Sequence, residues 1–296
     1  MKVLIVCGRD WANVAYNYQE SLRESGVDAR AVKRSINPRR QQQAEVCGIP
    51  KMKIYAKSAE IIHFMHSQLI PEIDLKGKKV VVSHTGSTYR GKYEKVNARF
   101  NPIVDLSIGC GDLYGKGAKN EYWIEGGITD TNLLQPVYER SDDKIIVSHF
   151  PSSPKTKGSN IIKKTLKNKG DAYTFTYNYN IVDWKTNIER VKKCDIYVER
   201  FKPNSGFGIS ALEAAALGKI VITTYAFKQK YEETHGKLGL ISVTTQNQLL
   251  EEVRRISNLS DNEILEMKKK SRSWVEKYHS YEATGLKLLK LYRTIL

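Results

Sequence analysis

No stretch of the 296 residues holds the run of about 18 apolar positions that a membrane-spanning helix needs, so no segment is expected to cross a bilayer. The apolar opening, residues 1–7, gives way at once to Arg9 and Asp10. It is too short for a secretory leader and reads as a first strand. Cysteine is sparse. Cys7, Cys47, Cys110 and Cys194 form no CxxC pair, which argues against a disulfide framework or a zinc site and for buried thiols in a reducing cytoplasm. Histidine is equally scattered. Without an HxxxH or a His/Cys/Asp cluster, no protein-held metal and no resident cofactor are expected. Walker and Gly-x-Ser-x-Gly motifs are missing too. The first turn has one glycine, Gly8, where a dinucleotide fingerprint wants three.

Acidic residues are outnumbered, 32 Asp/Glu against 48 Lys/Arg, for a net charge of +16. The excess is local. Residues 30–99 carry 15 Lys/Arg against 5 Asp/Glu, a net of +10, whereas 1–29 and 100–140 together carry 6 against 10. A basic zone of that kind attracts polyanions such as nucleic acid, an anionic membrane face or phosphorylated glycans. A solvated lysine-rich surface is the plain alternative.

What the chain does have is a repeated α/β pattern. Residues 2–7 read as a buried strand, 14–25 as a helix ended by Gly26, and 27–32 as a second strand, the start of a doubly wound sheet. Residues 36–50, with Arg39 and Arg40, read as a surface loop or short helix. Strands are expected at 59–65, 79–83, 104–108 and 122–124. The pattern restarts with strands at 144–148 and 172–177 and helices at 159–169 and 184–193. Open α/β sheets bind ligands at the carboxyl ends of their strands. That places Gly8, His66 and the turn from His84 to Arg90 where a ligand would sit.

The most informative stretch is 194–223. A short apolar strand enters the turn Ser205-Gly206-Phe207-Gly208, which opens a helix carrying Glu213 and stopping at Gly218. Glycines let backbone N–H groups approach a ligand, and a helix N-terminus attracts anions. A carboxylate is a natural acceptor for the vicinal hydroxyls of a ribose. The plain reading is a tight turn and a solvated glutamate, but Ala214-Ala215-Ala216 argues for close helix packing. Lys155 and Lys157, just before Gly158 and another helix, offer positive potential for a diphosphate. On a basic protein that signal is weak alone. His63, His66, His84 and His149, each taken alone, read as satisfied core histidines.

Together these stretches resemble a retaining glycosyltransferase of family 4 with the GT-B fold. Asp10-Trp11-Ala12-Asn13 resembles that family's first turn, and Ala59-Glu60-Ile61-Ile62-His63 its third strand. Gly86-Ser87-Thr88-Tyr89-Arg90 resembles its acceptor-side loop. His149-Phe150-Pro151-Ser152 with Lys157-Gly158-Ser159 resembles the opening of its second domain. Gly206-Phe207-Gly208 through Glu213-Ala214 and Gly218 resembles its donor motif. The resemblance implies two Rossmann-like domains, 1–138 for the acceptor and 139–278 for a nucleotide-sugar, facing a central cleft. It also implies a last helix, 279–296, that returns to the first domain. Lys157, Glu213 and His84 are the expected catalytic residues, with His84 or Thr85 meeting the sugar. Donor binding is expected from Gly8, Lys155, Lys157, Ser205, Gly206, Phe207, Gly208, Ile209 and Glu213, with Glu213 on the ribose and no metal required. Acceptor binding is expected from Arg9, Asp10, Trp11, Asn13, Ser87 and Arg90.

One departure stands out. The family carries a second glutamate eight positions before the first, and here that position is Ser205. An unusual donor sugar, such as a pentose, or a substitute acid such as Glu199 would account for it. For the acceptor, the basic zone favours a hydroxymethylated pyrimidine in phage DNA, which makes DNA the expected partner and the host cytoplasm the expected location. A glycan or lipid at an anionic membrane is the alternative. A non-catalytic nucleic-acid-binding protein on the same scaffold is a third reading, supported only by the change at Ser205.

Overall fold

The computed structural model describes residues 1–36, 43–125, 127–167, 172–203 and 205–296; Arg39 and Arg40 lie outside them. The chain forms two compact units, one of 1–128 with 280–296 and one of 129–279. The first holds strands β1 (Lys2–Arg9), β2 (Asp28–Ser35), β3 (Glu45–Val46), β4 (Ile61–Phe64), β5 (Lys79–Ser83), β6 (Leu106–Gly109) and β7 (Glu121–Trp123). They make one parallel sheet in the order β3-β2-β1-β4-β5-β6-β7. Strand order reverses between β1 and β4. Residues 3–7 and 61–64 are buried throughout, because helices cover both faces of such a sheet and leave no wet side for polar alternation.

Three further helices cover this unit where the sequence reading saw loop or nothing. The helix Ile49–Ser58 starts behind Gly48 with proline in its first turn, where a missing N–H costs no bond. Its Met52 and Ala56, one turn apart, are its buried residues. Gly86–Tyr89 and Tyr93–Phe100 follow β5. The final helix, Tyr281–Arg293, lies in this unit and packs on Val14–Glu24. Gly285 makes that closeness possible: a Cβ there would collide with the Ser21 carbonyl.

The second unit holds β8 (Ile145–His149), β9 (Tyr173–Tyr177), β10 (Ile196–Val198), β11 (Ile220–Thr223) and β12 (Ile241–Ser242), parallel in the order β12-β11-β10-β8-β9. Its reversal lies between β8 and β10. Residues 129–138, which the sequence reading put in the first domain, group with this unit. Charged side chains of its long helix Asp261–His279 hold them there. Arg272 donates to the carbonyls of Thr131 (2.7 Å) and Leu134 (2.5 Å), and Lys268 to that of Tyr138 (3.0 Å). Lys268 also pairs with buried Asp195 at 2.7 Å. Among the described residues no helix is long and apolar enough to cross a membrane, and no group of His, Cys, Asp and Glu is placed to hold a metal.

Candidate functional site

In the second unit the polar residues gather at the β8/β10 reversal, where the two crossovers leave in opposite directions and open a crevice. Glu199 follows β10 directly and its side chain is fully buried. Lys157 pairs with its Oε1. Arg200 binds it side-on, Nε to Oε2 at 2.6 Å and Nη2 to Oε1 at 2.9 Å. Thr223, at the end of β11, donates to Oε2 at 3.0 Å. Burial alone would raise the Glu199 carboxyl; Lys157 and Arg200 more than reverse it and hold it at about 2. Two cations of the cluster keep partial access to solvent, since the Lys157 and Arg200 side chains are 14% and 18% exposed.

Two glycines fix this geometry. Gly158 has φ 67, the left-handed region, and a Cβ would fall on the Phe201 carbonyl. The close approach lets Phe201 N–H bond the Lys157 carbonyl at 2.9 Å, which ties the lysine turn to the end of β10. Gly208 faces the cluster itself: a Cβ there would sit 2.8 Å from Arg200 Nη2 and 2.9 Å from Glu199 Oε1. The helix Ile209–Ala216 begins at the next residue, with no side chain capping it. Glu213 on that helix accepts the Trp184 indole N–H at 2.7 Å. His149 completes the frame as a neutral imidazole. Its Nδ1 meets the Val198 carbonyl at 2.7 Å and its Nε2 the Ser159 hydroxyl at 2.8 Å, and burial pulls its pKa to about 4.

The remaining donor-side residues are placed as follows. Lys155 is exposed. Ser205 is buried and its hydroxyl donates to the Lys202 carbonyl at 2.7 Å. Gly206 and Ile209 are half-buried. The Phe207 ring packs among Tyr225, Tyr231, Trp274 and His279, so that only its backbone can face a ligand. Gly8, in the first unit, meets a protein side chain: its N–H donates to Gln68 Oε1 at 2.7 Å, and that oxygen fills the space where a Cβ would be.

The first unit gathers its polar residues at its own reversal, β1/β4. Asp10 and His66, both buried, approach to 3.2 Å between Oδ1 and Nε2. His66 Nδ1 lies 2.5 Å from the Thr85 hydroxyl. Asp10 also accepts the N–H groups of Ala15 (2.9 Å) and Tyr16 (3.3 Å) at the start of the first long helix. Buried Lys33 is close by; burial lowers its pKa and the Asp10 charge works the other way. Ala12, Asn13, His66 and Ser67 all have φ between 55 and 60. Non-glycine residues in that region store strain of about 1–3 kcal/mol each, and here they crowd one sheet edge.

His84 stands next to Thr85 but turns inward. Its ring stacks on Tyr89 at 3.9 Å, Nδ1 meets the Ser67 hydroxyl at 2.9 Å, and burial lowers its pKa to about 4. Of the acceptor-side residues, Arg9 and Trp11 are exposed and stacked, 5.2 Å apart. Asn13 is buried against Gln43 at 2.7 Å, and Ser87 is exposed. Arg90 is clamped by both oxygens of Asp112. The basic zone is partly neutralised in the same way. Glu45 takes Lys51 (2.8 Å) and Arg30 (3.5 Å), and Lys79 pairs with Asp105 at 3.7 Å. Lys53, Lys57, Lys76, Lys92, Lys95 and Arg99 stay exposed.

No protein-family model matches the chain, and no curated protein matches it. Solved structures do. Anabaena HepE, crystallised with UDP-glucose, superposes with a TM-score of 0.68 at 13% identity, over 99% of this chain and 100% of its own. The fold is GT-B. Sucrose-phosphate synthase of Thermosynechococcus elongatus shares it at TM-score 0.65 and 14% identity, over 99% of this chain and 98% of its own. So does AviGT4, a glycosyltransferase of avilamycin A biosynthesis, at TM-score 0.57 and 9% identity, over 99% and 97%. At such identities the likeness is one of fold. Within the GT-B frame the sequence reading overlooked Arg200, Trp184 and the pairing of His66 with Asp10 and Thr85. None of these belongs to a short motif. Each is defined by a partner 29 or more positions away, except Arg200, whose role depends on the burial of its neighbour Glu199.

Proposed function

We propose that the chain is a glycosyltransferase that moves a sugar from a UDP-sugar held by the second unit to a hydroxyl on a polyanionic acceptor. The observation that carries this is the Lys157–Glu199–Arg200 cluster at Gly208, immediately before the helix that bears Glu213. Breaking the bond between anomeric carbon and β-phosphate leaves growing negative charge on a phosphate oxygen. Pre-placed cations and helix N–H groups stabilise that charge more than they stabilise the substrate, and this difference lowers the barrier. Lys157 takes that role, with Arg200 beside it. Glu213, oriented by Trp184, receives the ribose hydroxyls.

Glu199 is not the substitute for the glutamate missing at Ser205, because Lys157, Arg200 and Thr223 already engage both its oxygens. Sugar recognition therefore differs from that of a donor motif with two glutamates, and a pentose donor fits this difference. Whether anomeric configuration is kept, as the resemblance implies, is read from the product. The favoured acceptor is DNA with hydroxymethylated pyrimidines, approached through the exposed lysines of 53–95 and Arg99. The internal pairing of Arg30, Lys51, Lys79 and Arg90 supports a second reading, a glycan or lipid hydroxyl.

The test combines a donor panel with an acceptor panel. UDP-glucose, UDP-N-acetylglucosamine, UDP-xylose and UDP-arabinose are each incubated with hydroxymethylated DNA, unmodified DNA and glycolipid acceptors, and UDP release and product mass are followed. A pentose mass on hydroxymethylated DNA alone is the expected result. Transfer to the glycolipid alone would replace the DNA reading, and best turnover of UDP-glucose would remove the pentose. Lys157→Ala should cut turnover by about 10²–10³-fold, the loss seen when one donor to a developing oxyanion is removed.

A further inference from the structure

We infer that Asp10, His66 and Thr85 form a proton relay that takes the proton of the attacking acceptor hydroxyl; this rests on the transferase reading above. Three strands supply one residue each beyond their carboxyl ends: Asp10 after β1, His66 after β4, Thr85 after β5. They meet at the reversal of strand order, where this class of sheet binds ligands. The chain of contacts runs from inside to outside. Asp10 is 0% exposed and His66 1%, whereas Thr85 is half-exposed and can reach a ligand.

The contacts around His66 favour proton movement. Its Nε2 faces the Asp10 carboxylate at 3.2 Å and the Trp11 N–H at 3.1 Å. A protonated Nε2 satisfies the carboxylate and opposes the amide; a bare Nε2 does the reverse. Neither tautomer is favoured by both neighbours, so the ring's proton can shift at low cost. Nδ1 lies against the Thr85 hydroxyl at 2.5 Å in either case. His66 is held there in a left-handed conformation, φ 60. Such strain in a histidine persists where the surroundings demand the side chain's direction.

In the relay, the acceptor hydroxyl gives its proton to Thr85 Oγ1 as Thr85 gives its own to His66 Nδ1. Nε2–H stays on Asp10, which stabilises the imidazolium. The acceptor oxygen's electron pair forms the new bond to the anomeric carbon. The bond from that carbon to the β-phosphate oxygen breaks, and its pair leaves on UDP. His66 then returns the proton to solvent. The base thus lies in the acceptor unit and not on the departing phosphate. His84, the histidine that the sequence pointed to, turns its ring into the core beside this chain and takes no part in it.

Two measurements on the full chain test the inference. The first is the ¹⁵N signature of the His66 ring by long-range proton–nitrogen correlation. The Nε2–H tautomer is expected; a ring protonated on Nδ1 overturns the relay whatever the protein catalyses. The second is steady-state UDP release from the best donor and acceptor pair, for wild type, His66→Asn, Thr85→Val and Thr85→Ser. Asparagine tolerates the left-handed backbone at 66. His66→Asn and Thr85→Val should each lower kcat by about 100-fold, the usual worth of a general base, with donor KM within about twofold. Thr85→Ser should restore most of kcat. Equal loss in Thr85→Ser and Thr85→Val, or unchanged kcat in His66→Asn, overturns the relay alone. Wild-type protein that releases no UDP from any donor overturns the transferase reading and the relay with it.

Discussion

Replacing Glu199 by glutamine removes one charge from the ion cluster at almost constant shape. The carboxyl sits at about 2 in the fold against an ordinary 4.5. A folded value below the unfolded one means stability that is present above pH 4.5 and is lost as pH falls through 2. The gap corresponds to about 3 kcal/mol at pH 7 and about 1.4 kcal/mol at pH 3. Leaving two buried cations without their anion carries a cost of similar size, about 3–5 kcal/mol. The second unit has about 150 residues, for which 1 kcal/mol moves the unfolding midpoint by about 2–4 °C. Calorimetry should therefore show that unit melting about 10 °C lower in Glu199→Gln at pH 7, with less than half that difference at pH 3. UDP should raise the midpoint more in the variant than in wild type, because its phosphates replace the missing anion. A variant melting within about 2 °C of wild type at pH 7 would refute the reasoning, as would a difference that does not narrow in acid.

Three further outcomes follow from the same geometry. Trp184→Phe removes the indole N–H that holds Glu213; a hydrogen bond to a charge is worth about 1.5–3 kcal/mol, so UDP affinity measured by calorimetric titration should fall at least about tenfold while the fold survives. Gly158→Ala forces a Cβ onto the Phe201 carbonyl at φ 67, and chemical denaturation should show a loss above about 2 kcal/mol. His63, His84 and His149 are held neutral by burial, at about 3, 4 and 4. Their contribution is complete above the unfolded value near 6.5 and declines as pH falls below it, by about 1.4 kcal/mol per pH unit each. The first unit carries two of them and the second one, so between pH 6 and 5 the first should lose stability more steeply.

Some of this architecture is written locally. The buried run 2–7, Gly26 after the first helix and the Gly208-to-Gly218 helix follow from patterns that any window of ten residues contains. The helix Ile49–Ser58 does not, because its two buried positions stand among lysines and a tyrosine that remain outside. The border at 128/129 does not either. Residues 129–138 have little apolar character of their own and join the second unit through carbonyls bonded by Arg272 and Lys268, side chains 130 or more positions away. Charge counting fails for a related reason. Arg30 and Lys51 look like bait for a polyanion until Glu45 is seen between them.

The two polar clusters share one cause, which explains both why they form and why a motif search passes over them. Where strand order reverses, neighbouring crossovers diverge and the strand ends between them have no helix above them. A polar side chain at such an end is buried by its flanks yet has no apolar partner above. It must find charge or hydrogen bonds, or cost several kcal/mol. Glu199 meets this need with Lys157, Arg200 and Thr223; Asp10 meets it with His66 and two helix N–H groups. In each case the partners come from other strands, so their spacing in sequence is set by crossover length and carries no signal. Ser205 shows the converse. Its change from glutamate is visible in the motif, but its hydroxyl turns back to Lys202 and bonds within its own turn. The carboxylate that decides the electrostatics of this crevice is six residues earlier, at the strand end, and the strand order explains why it is there.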